Sequence, residues 1–295
     1  MELYRKTLTS ATWWSLVIFN LLTFSSCKNQ PESTVPSWKI KLIANSTSHV
    51  TYLVDLERAI DHILRVQLVQ VPVFKGKELI VLQNIMALLD NFNPLYKYKK
   101  GKANIKNINR FIKSQTEVSQ EYFKGLANDD EFATENYIGD DYIGCLGSQS
   151  GLRGFNCSLW NLFHYWTVQS SFSPELFQPG AVLWTLHGYV HHFMNCSECY
   201  LNFWFYVQEH QIEDVKTHDE EILWLWRAHN YFNRKLAGDV TEDPWFPKKQ
   251  FPEDKYCRKC RWKGKWQNDK VLKYLKNIYS SISEVVGLIN KEEEP

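Results

Sequence analysis

The chain has 295 residues and seven cysteines, and six of the cysteines fall into local pairs: Cys145 with Cys157, Cys196 with Cys199, and Cys257 with Cys260. Cys27 stands apart, at the edge of an N-terminal apolar segment. Two of the pairs are CxxC. At that spacing a disulfide closes and reopens with little backbone motion, which is what a redox-active dithiol requires. Cys196-Ser197-Glu198-Cys199 lies between the end of one apolar helical pattern and the start of the next. A helix N-terminus carries partial positive charge, so a cysteine placed there holds its thiolate more readily. A CxxC also serves as a structural disulfide or as half of a zinc site, and the spacing by itself leaves all three readings open.

Thiol chemistry depends on compartment. Arg5 and Lys6 precede an apolar run from Trp13 to Phe24, followed by Ser25 and Ser26. This is the grammar of a signal peptide over residues 1–27. The run is shorter than the roughly 20 residues of a comfortable span, so a signal anchor is the alternative, and no later segment is apolar enough to cross a bilayer. Six cysteines behind such a signal favour disulfides and a secretory-pathway location, in the lumen of the endoplasmic reticulum or Golgi or outside the cell. The sequon Asn45-Ser46-Thr47 agrees with that location. Lys plus Arg total 34 against 33 for Asp plus Glu, which argues against nucleic acid as a partner because no net positive field exists. Twelve tryptophans suit a large helical core and also a flat aromatic ligand.

The elements that would position the dithiol read as helices. Residues 28–50, with Pro31 and Pro36, form a linker. Leu53, Leu56, Ile60, Ile63 and Leu64 recur at three- and four-residue steps, and Leu79, Leu82, Ile85, Leu88 and Leu89 repeat the pattern. The basic stretch KYKKGKANIK reads as a surface loop, and the acidic residues 126–144 as a connector. Four helices follow. The first is SLWNLFHYWTVQSSF. The second starts after Pro179-Gly180 and runs to Cys196. The third starts at the CxxC. The fourth is opened by the capping box Thr217-His218-Asp219-Glu220 and closed by Gly238. Pro244, Pro247 and Pro252 enforce an irregular excursion before a last amphipathic helix, NDKVLKYLKNIYSSISEVVGLI. No strand pair is expected, and the fold class is all-α.

The runs GCLGSQSGLRGFNCSLWNLFHYWTVQS, GYVHHFMNCSECYLNF and ILWLWRAHNYFNRKLAGDVTEDPWFPKKQFPEDKYCRKC closely resemble the Erv/ALR sulfhydryl oxidase domain in its quiescin sulfhydryl oxidase form. YLVDLERAIDHILRVQLVQVPVFKGKELIVLQ resembles the helical region ahead of that domain, a flavinless copy of the oxidase fold that packs on it. The resemblance implies an FAD-binding four-helix bundle with a short fifth helix over residues 140–289, packed against a pseudo-oxidase region at 51–139 as an internal pseudo-dimer in a monomer. Carried over position by position, it makes Cys196 the sulfur that exchanges with incoming thiols and Cys199 the one beside the isoalloxazine. It places Arg153, Trp160, His164, Glu198, Asn202, Trp226, His229, Asn230, Asn233, Lys248 and Phe251 around FAD. It makes Cys145/Cys157 and Cys257/Cys260 structural disulfides. Physical reasons accompany these roles: an Arg can grip a pyrophosphate, Trp and His faces stack on flat rings, and Trp226, His229, Asn230 and Asn233 share one helical stripe.

Asn202 stands where the family often has His, and Phe251 where an aromatic Trp is expected; both put affinity and redox tuning in question. Quiescin oxidases begin with a thioredoxin module, and no CxxC precedes Cys145; either that module is lost or the sequence is a truncated product, and without it the expected donor is external: small dithiols, or a separate thioredoxin-like or protein disulfide isomerase protein, with oxygen as acceptor. Two rivals stand. One is an oxidase-fold interaction protein without turnover. The other is a zinc site built from Cys196, Cys199, Cys257 and Cys260, although these pairs are much further apart than the roughly 15–20 residues of zinc ribbons.

Overall fold

The computed structural model describes residues 49–97, 99–129 and 142–284. The signal peptide, most of the linker with Asn45, the boundary at 139/140 and the expected helix end beyond 284 lie outside the described residues. The expected alternation of apolar positions in the first region forms α1 (Leu53–His62), which continues through a π turn at Ile63–Gln67 and a 3-10 turn at Leu68–Gln70. Leu56, Ile60, Ile63 and Leu64 are all buried. α2 (Lys77–Asn91) buries Leu79, Leu82, Ile85, Leu88 and Leu89. The basic stretch expected as a surface loop instead enters a helix, α3 (Lys99–Lys113). Ile105, Ile108 and Ile112, at steps of three and four, are buried beneath its charges and supply the reason. α4 (Gln120–Ala127) completes this region.

The second region is the expected bundle of α5 (Gly154–Phe172), α6 (Ala181–His192), α7 (Ser197–Glu209) and α8 (His218–Lys235). The fifth helix, α9 (Asn268–Ser280), packs on α5 and α8 and at 13 residues is as long as α7, so it is not short. The capping box at Thr217 and Glu220 is present with both reciprocal bonds. α6 ends four residues before Cys196 rather than at it. Tyr189 O already accepts both Phe193 N and Met194 N, and Cys196 has extended backbone. The break lets Cys196 act as the N-cap of α7.

Among the described residues, strand pairs, which the sequence did not suggest, occur as three short ribbons. β2 (Val73–Lys75) pairs with β3 (Glu117–Ser119), β4 (Arg261–Trp262) with β5 (Lys265–Trp266), and β1 (Thr51–Tyr52) in parallel with β6 (Ile282–Ser283). β6 replaces the expected continuation of the last helix. These pairs are two or three residues long; β4–β5 is a local hairpin, the other two join segments distant in sequence, and none alters the all-α class.

One continuous core runs through both regions. α1 packs on α5 and α2 on α6. A Cβ at Gly188 of α6 would lie 2.4 Å from Val81 Cγ2 of α2, so glycine is what allows those helices to approach. α6 is fastened to α8 by Glu221, fully buried, which accepts from Val182 N at 2.9 Å and faces His218 Nδ1 at 3.2 Å. That hydrogen bond raises the His218 pKa above its ordinary value. A carboxylate this deep persists only with such partners.

Candidate active site

Cys196 and Cys199 are joined by a disulfide with their Cα atoms 5.2 Å apart. Cys196 is the N-cap of α7, and its sulfur accepts from Cys199 N at 3.2 Å. Cys199 is exposed, Cys196 partly buried, and Glu198 is exposed in the first turn of the same helix. The helix start thus offers a partial positive charge to whichever sulfur is released as thiolate. His191 packs against Tyr200 at 4.3 Å beside this turn. The other two pairs close on themselves as Cys145–Cys157 and Cys257–Cys260. The four CxxC sulfurs therefore do not converge on a shared zinc position, and among the described residues no three His, Cys, Asp or Glu side chains are grouped as a metal would need.

One turn beyond Cys199, Phe203 stacks on Phe232 of α8 at 6.0 Å and 18°. Phe232 lies 6.1 Å from the ring of Trp160. Trp160 stacks face to face on His229 at 4.3 Å and 6°. His229 Nδ1 meets His164 Nε2 at 3.2 Å, and Tyr279 of α9 covers the other side of His164 at 5.1 Å. Two helices, α5 and α8, thus bring Trp160, His164 and His229 into one ring cluster, and the Phe203–Phe232 contacts tie it to α7, the helix that opens with the dithiol. Burial drives both histidines toward the neutral form: His229 is lowered to about 4, and His164 lies well below its ordinary value, helped by its neighbour. His164 Nδ1 is buried and has no hydrogen-bond partner.

The helical stripe expected to address one ligand divides by role. Trp226 Nε1 and Asn230 Nδ2 donate to Phe251 O at 2.6 and 2.7 Å, and Phe251 N donates to Asn230 Oδ1 at 2.7 Å. Asn233 Nδ2 donates to Lys249 O at 3.0 Å. Three of the four residues therefore fasten the strap 249–251 across α8, and His229 alone joins the ring cluster. Lys248, partly buried, immediately precedes this strap, with its amide donating to Glu242 Oε1. Phe251 lies edge-on to Tyr274 of α9 at 5.7 Å. Asn202, one turn past Cys199, accepts from Lys235 Nζ at 2.6 Å.

Arg153 is placed differently from a pyrophosphate clamp. Its guanidinium donates to Leu146 O at 2.8 Å and Gly144 O at 2.7 Å, and lies 4.0 Å over the ring of Phe246. Its φ of 57° is in the left-handed region, where non-glycine residues are uncommon. It fixes the turn ahead of α5 rather than reaching outward.

Phe203, Phe232 and Tyr279 were not anticipated. Phe232, three residues beyond His229, carries a legible helical spacing; Tyr279 has no local signal, because its contact with His164 depends on how α9 packs.

Comparison with known proteins bears on this geometry. The Erv1 / Alr family model matches residues 157–256, and the model for flavin adenine dinucleotide (FAD)-dependent sulfhydryl oxidase matches residues 47–148. Human Sulfhydryl oxidase 2 is 35% identical over 256 residues, covering 77% of this chain and 34% of the relative. Sulfhydryl oxidase 1 of Gallus gallus is 30% identical over 291 residues, covering 94% of this chain and 37% of the relative. The solved "Sulfhydryl Oxidase Fragment of Human QSOX1" superposes with a TM-score of 0.72 at 31% identity, covering 81% of this chain and 100% of that one. The chain belongs to the quiescin sulfhydryl oxidase family. It spans about a third of the length of the full relatives it matches.

FAD is the cofactor of this family. The residues present fit it. A face-to-face Trp–His stack, a buried His164 Nδ1 without a protein partner and an exposed Cys199 at the start of α7 supply ring contact, a polar contact and a redox partner. Lys248 and Lys235, on the strap and at the end of α8, offer cations of the kind phosphates attract.

Proposed function

We propose that this chain is an FAD-dependent thiol oxidase that forms disulfides in thiol substrates and reduces oxygen to hydrogen peroxide. The observation that carries the reading is the position of the Cys196–Cys199 disulfide at the start of α7, the helix whose Phe203 packs through Phe232 toward the Trp160–His229 stack.

A substrate thiolate attacks Cys196 Sγ; the Cys196–Cys199 bond breaks, and Cys199 leaves as a thiolate at the helix N-terminus. A second substrate thiolate attacks the substrate sulfur of that mixed disulfide, releasing oxidised substrate and the Cys196 thiolate. Two electrons now reside on the dithiol, with Cys199 the more exposed residue of the pair. Bound FAD supplies the two-electron acceptor that lets the pair close again and passes those electrons to oxygen. Trp160, His164 and His229 would hold the cofactor's rings and Lys248 its polar part. Neutral histidines in that pocket offer hydrogen bonds without adding charge. Arg153, Trp226, Asn230 and Asn233 support the pocket walls, and Glu198, Asn202 and Phe251 border it.

The substrates we propose are small dithiols or a separate thioredoxin-like or protein disulfide isomerase donor. Partial burial of Cys196 favours a donor that presents its thiols in a small or convex surface. Three disulfides support a location in the oxidising secretory pathway. Among the described residues no helix is long and apolar enough to cross a membrane. The test is oxygen uptake with peroxide formation by the purified yellow protein. Dithiol-dependent uptake is expected, faster than with reduced unfolded proteins. A flavin-bearing protein that consumes no oxygen with any thiol would favour the oxidase-fold interaction protein instead.

A further inference from the structure

Asp55 belongs to α1, in the region ahead of the oxidase bundle, and is only 1% exposed. Its carboxylate accepts from Ile143 N at 2.8 Å and Cys145 N at 3.1 Å, about ninety residues away in sequence. The turn fits it closely: a Cβ at Gly144 would lie 2.8 Å from Asp55 Oδ2. Arg153 is the cation facing Asp55 from α5, Tyr142 stands beside it, and Arg58 of its own helix lies over the Tyr142 ring at 6.0 Å.

From this turn, contacts lead to both elements that carry the candidate cofactor residues. Toward α5, Gly154 N donates to Cys145 O at 3.0 Å, Arg153 donates to Gly144 O and Leu146 O, and Asn161 Nδ2 reaches Cys145 Sγ at 3.3 Å. α5 carries Trp160 and His164. Toward the strap, Ser148 N and Oγ donate to Asp243 at 2.7 and 2.6 Å, and Arg153 lies over Phe246. From Phe246 the chain runs through Lys248 into the strap and Phe251. The family match that covers the preceding region also runs through residue 148 and so includes the turn.

We propose that Asp55 is a positioning residue for the flavin pocket: the preceding region donates the carboxylate that fixes the Ile143–Leu146 turn, from which both α5 and the strap are hung, and thereby retains the cofactor. This rests on the FAD reading above. A buried acceptor that holds two backbone donors leaves both unsatisfied when it is removed. Asparagine can accept one of them and presents an N–H to the other. The displaced turn then loosens the two walls together, although no atom of Asp55 need touch FAD.

The test uses the holoprotein and follows FAD release by recovery of free-flavin fluorescence, at a temperature far below unfolding, alongside the thermal midpoint. Asp55→Asn should release FAD about tenfold faster, equivalent to about 1.4 kcal/mol. Ser148→Ala, a gentler cut in the same web, should move release in the same direction and keeps the test decisive if Asp55→Asn does not fold. Val81→Ala thins the contact between α2 and α6 without touching the turn; it should lower the midpoint yet leave FAD release within about twofold, as expected for a distant, independent site. Equal acceleration in Val81→Ala and Asp55→Asn at matched loss of stability would overturn the positioning role, as would unchanged release in both Asp55→Asn and Ser148→Ala. A wild-type protein that binds no FAD would instead sink the underlying cofactor assignment.

Discussion

Cys196 and Cys199 occupy different settings although they are three residues apart: one caps α7 with its sulfur and is a partly buried residue, the other is an exposed residue of the first turn. Replacing Cys199 with Ser should therefore abolish oxygen uptake while the purified protein stays yellow, since the ring cluster is untouched; a colourless variant would contradict the division of roles. Buried ionisable groups set a second expectation. Burial raises Asp55 from 3.8 to about 6. The folded protein then holds this proton more tightly than the unfolded chain, so its contribution to stability is complete below pH 3.8 and lost as pH rises through about 6. The shift corresponds to about 3 kcal/mol. His229, lowered to about 4, has the opposite sign: its contribution is present above 6.5 and lost as pH falls through 4. Comparing urea unfolding of wild type and Asp55→Asn across this range isolates the first effect. The wild type should lose stability relative to the variant as pH rises from 4 to 7, and parallel pH profiles would refute it.

At the scale of elements, two of the contacts that hold α6 can be tested singly. Glu221→Ala removes the acceptor of Val182 N and the partner of His218. Breaking one side of a buried pair costs about 3 kcal/mol, which denaturant unfolding would detect. Gly188→Ala drives a methyl into Val81 and should cost about 1–3 kcal/mol, partly restored by adding Val81→Ala. Additive losses in the double variant would mean the two side chains do not meet. The elements most legible in the sequence were those with local signals. The Thr217 capping box, the periodic apolar positions of α1 and α2, and the CxxC at a helix start are all legible from local sequence. The start of α3 was hidden because lysines and a glycine dominate a stretch whose later turns carry the buried isoleucines. The end of α6 was hidden because apolar residues continue to Met194 after the helix has stopped. Asp55, Glu221 and Asp243 carried no signal: their partners lie 39–95 residues away, and a carboxylate on an apolar background looks like a surface charge until the chain is folded. The α8 stripe was legible as a stripe, but that Trp226, Asn230 and Asn233 hold backbone while His229 faces the rings depends on where the strap returns.

At the scale of the molecule, the preceding region and the bundle share one core, tied at its edges by the β1–β6 pair, by Thr51 Oγ1 donating to Ile278 O at 2.9 Å, and by the stacking of His62 on Phe155 at 3.8 Å. Unfolding should therefore be a single cooperative transition with both regions lost together, measurable as coincident far-UV and tryptophan-fluorescence curves. Two separated transitions would mean the regions fold independently. The central claim is that the Cys196–Cys199 dithiol exchanges electrons directly with a bound flavin, and an anaerobic titration of the purified protein with dithiothreitol, followed by visible absorbance, tests it. The wild type should show a flavin band near about 450 nm that bleaches as dithiol is added, while Cys199→Ser keeps the band unbleached. Bleaching of equal extent and rate in the Cys199→Ser variant would contradict the claim.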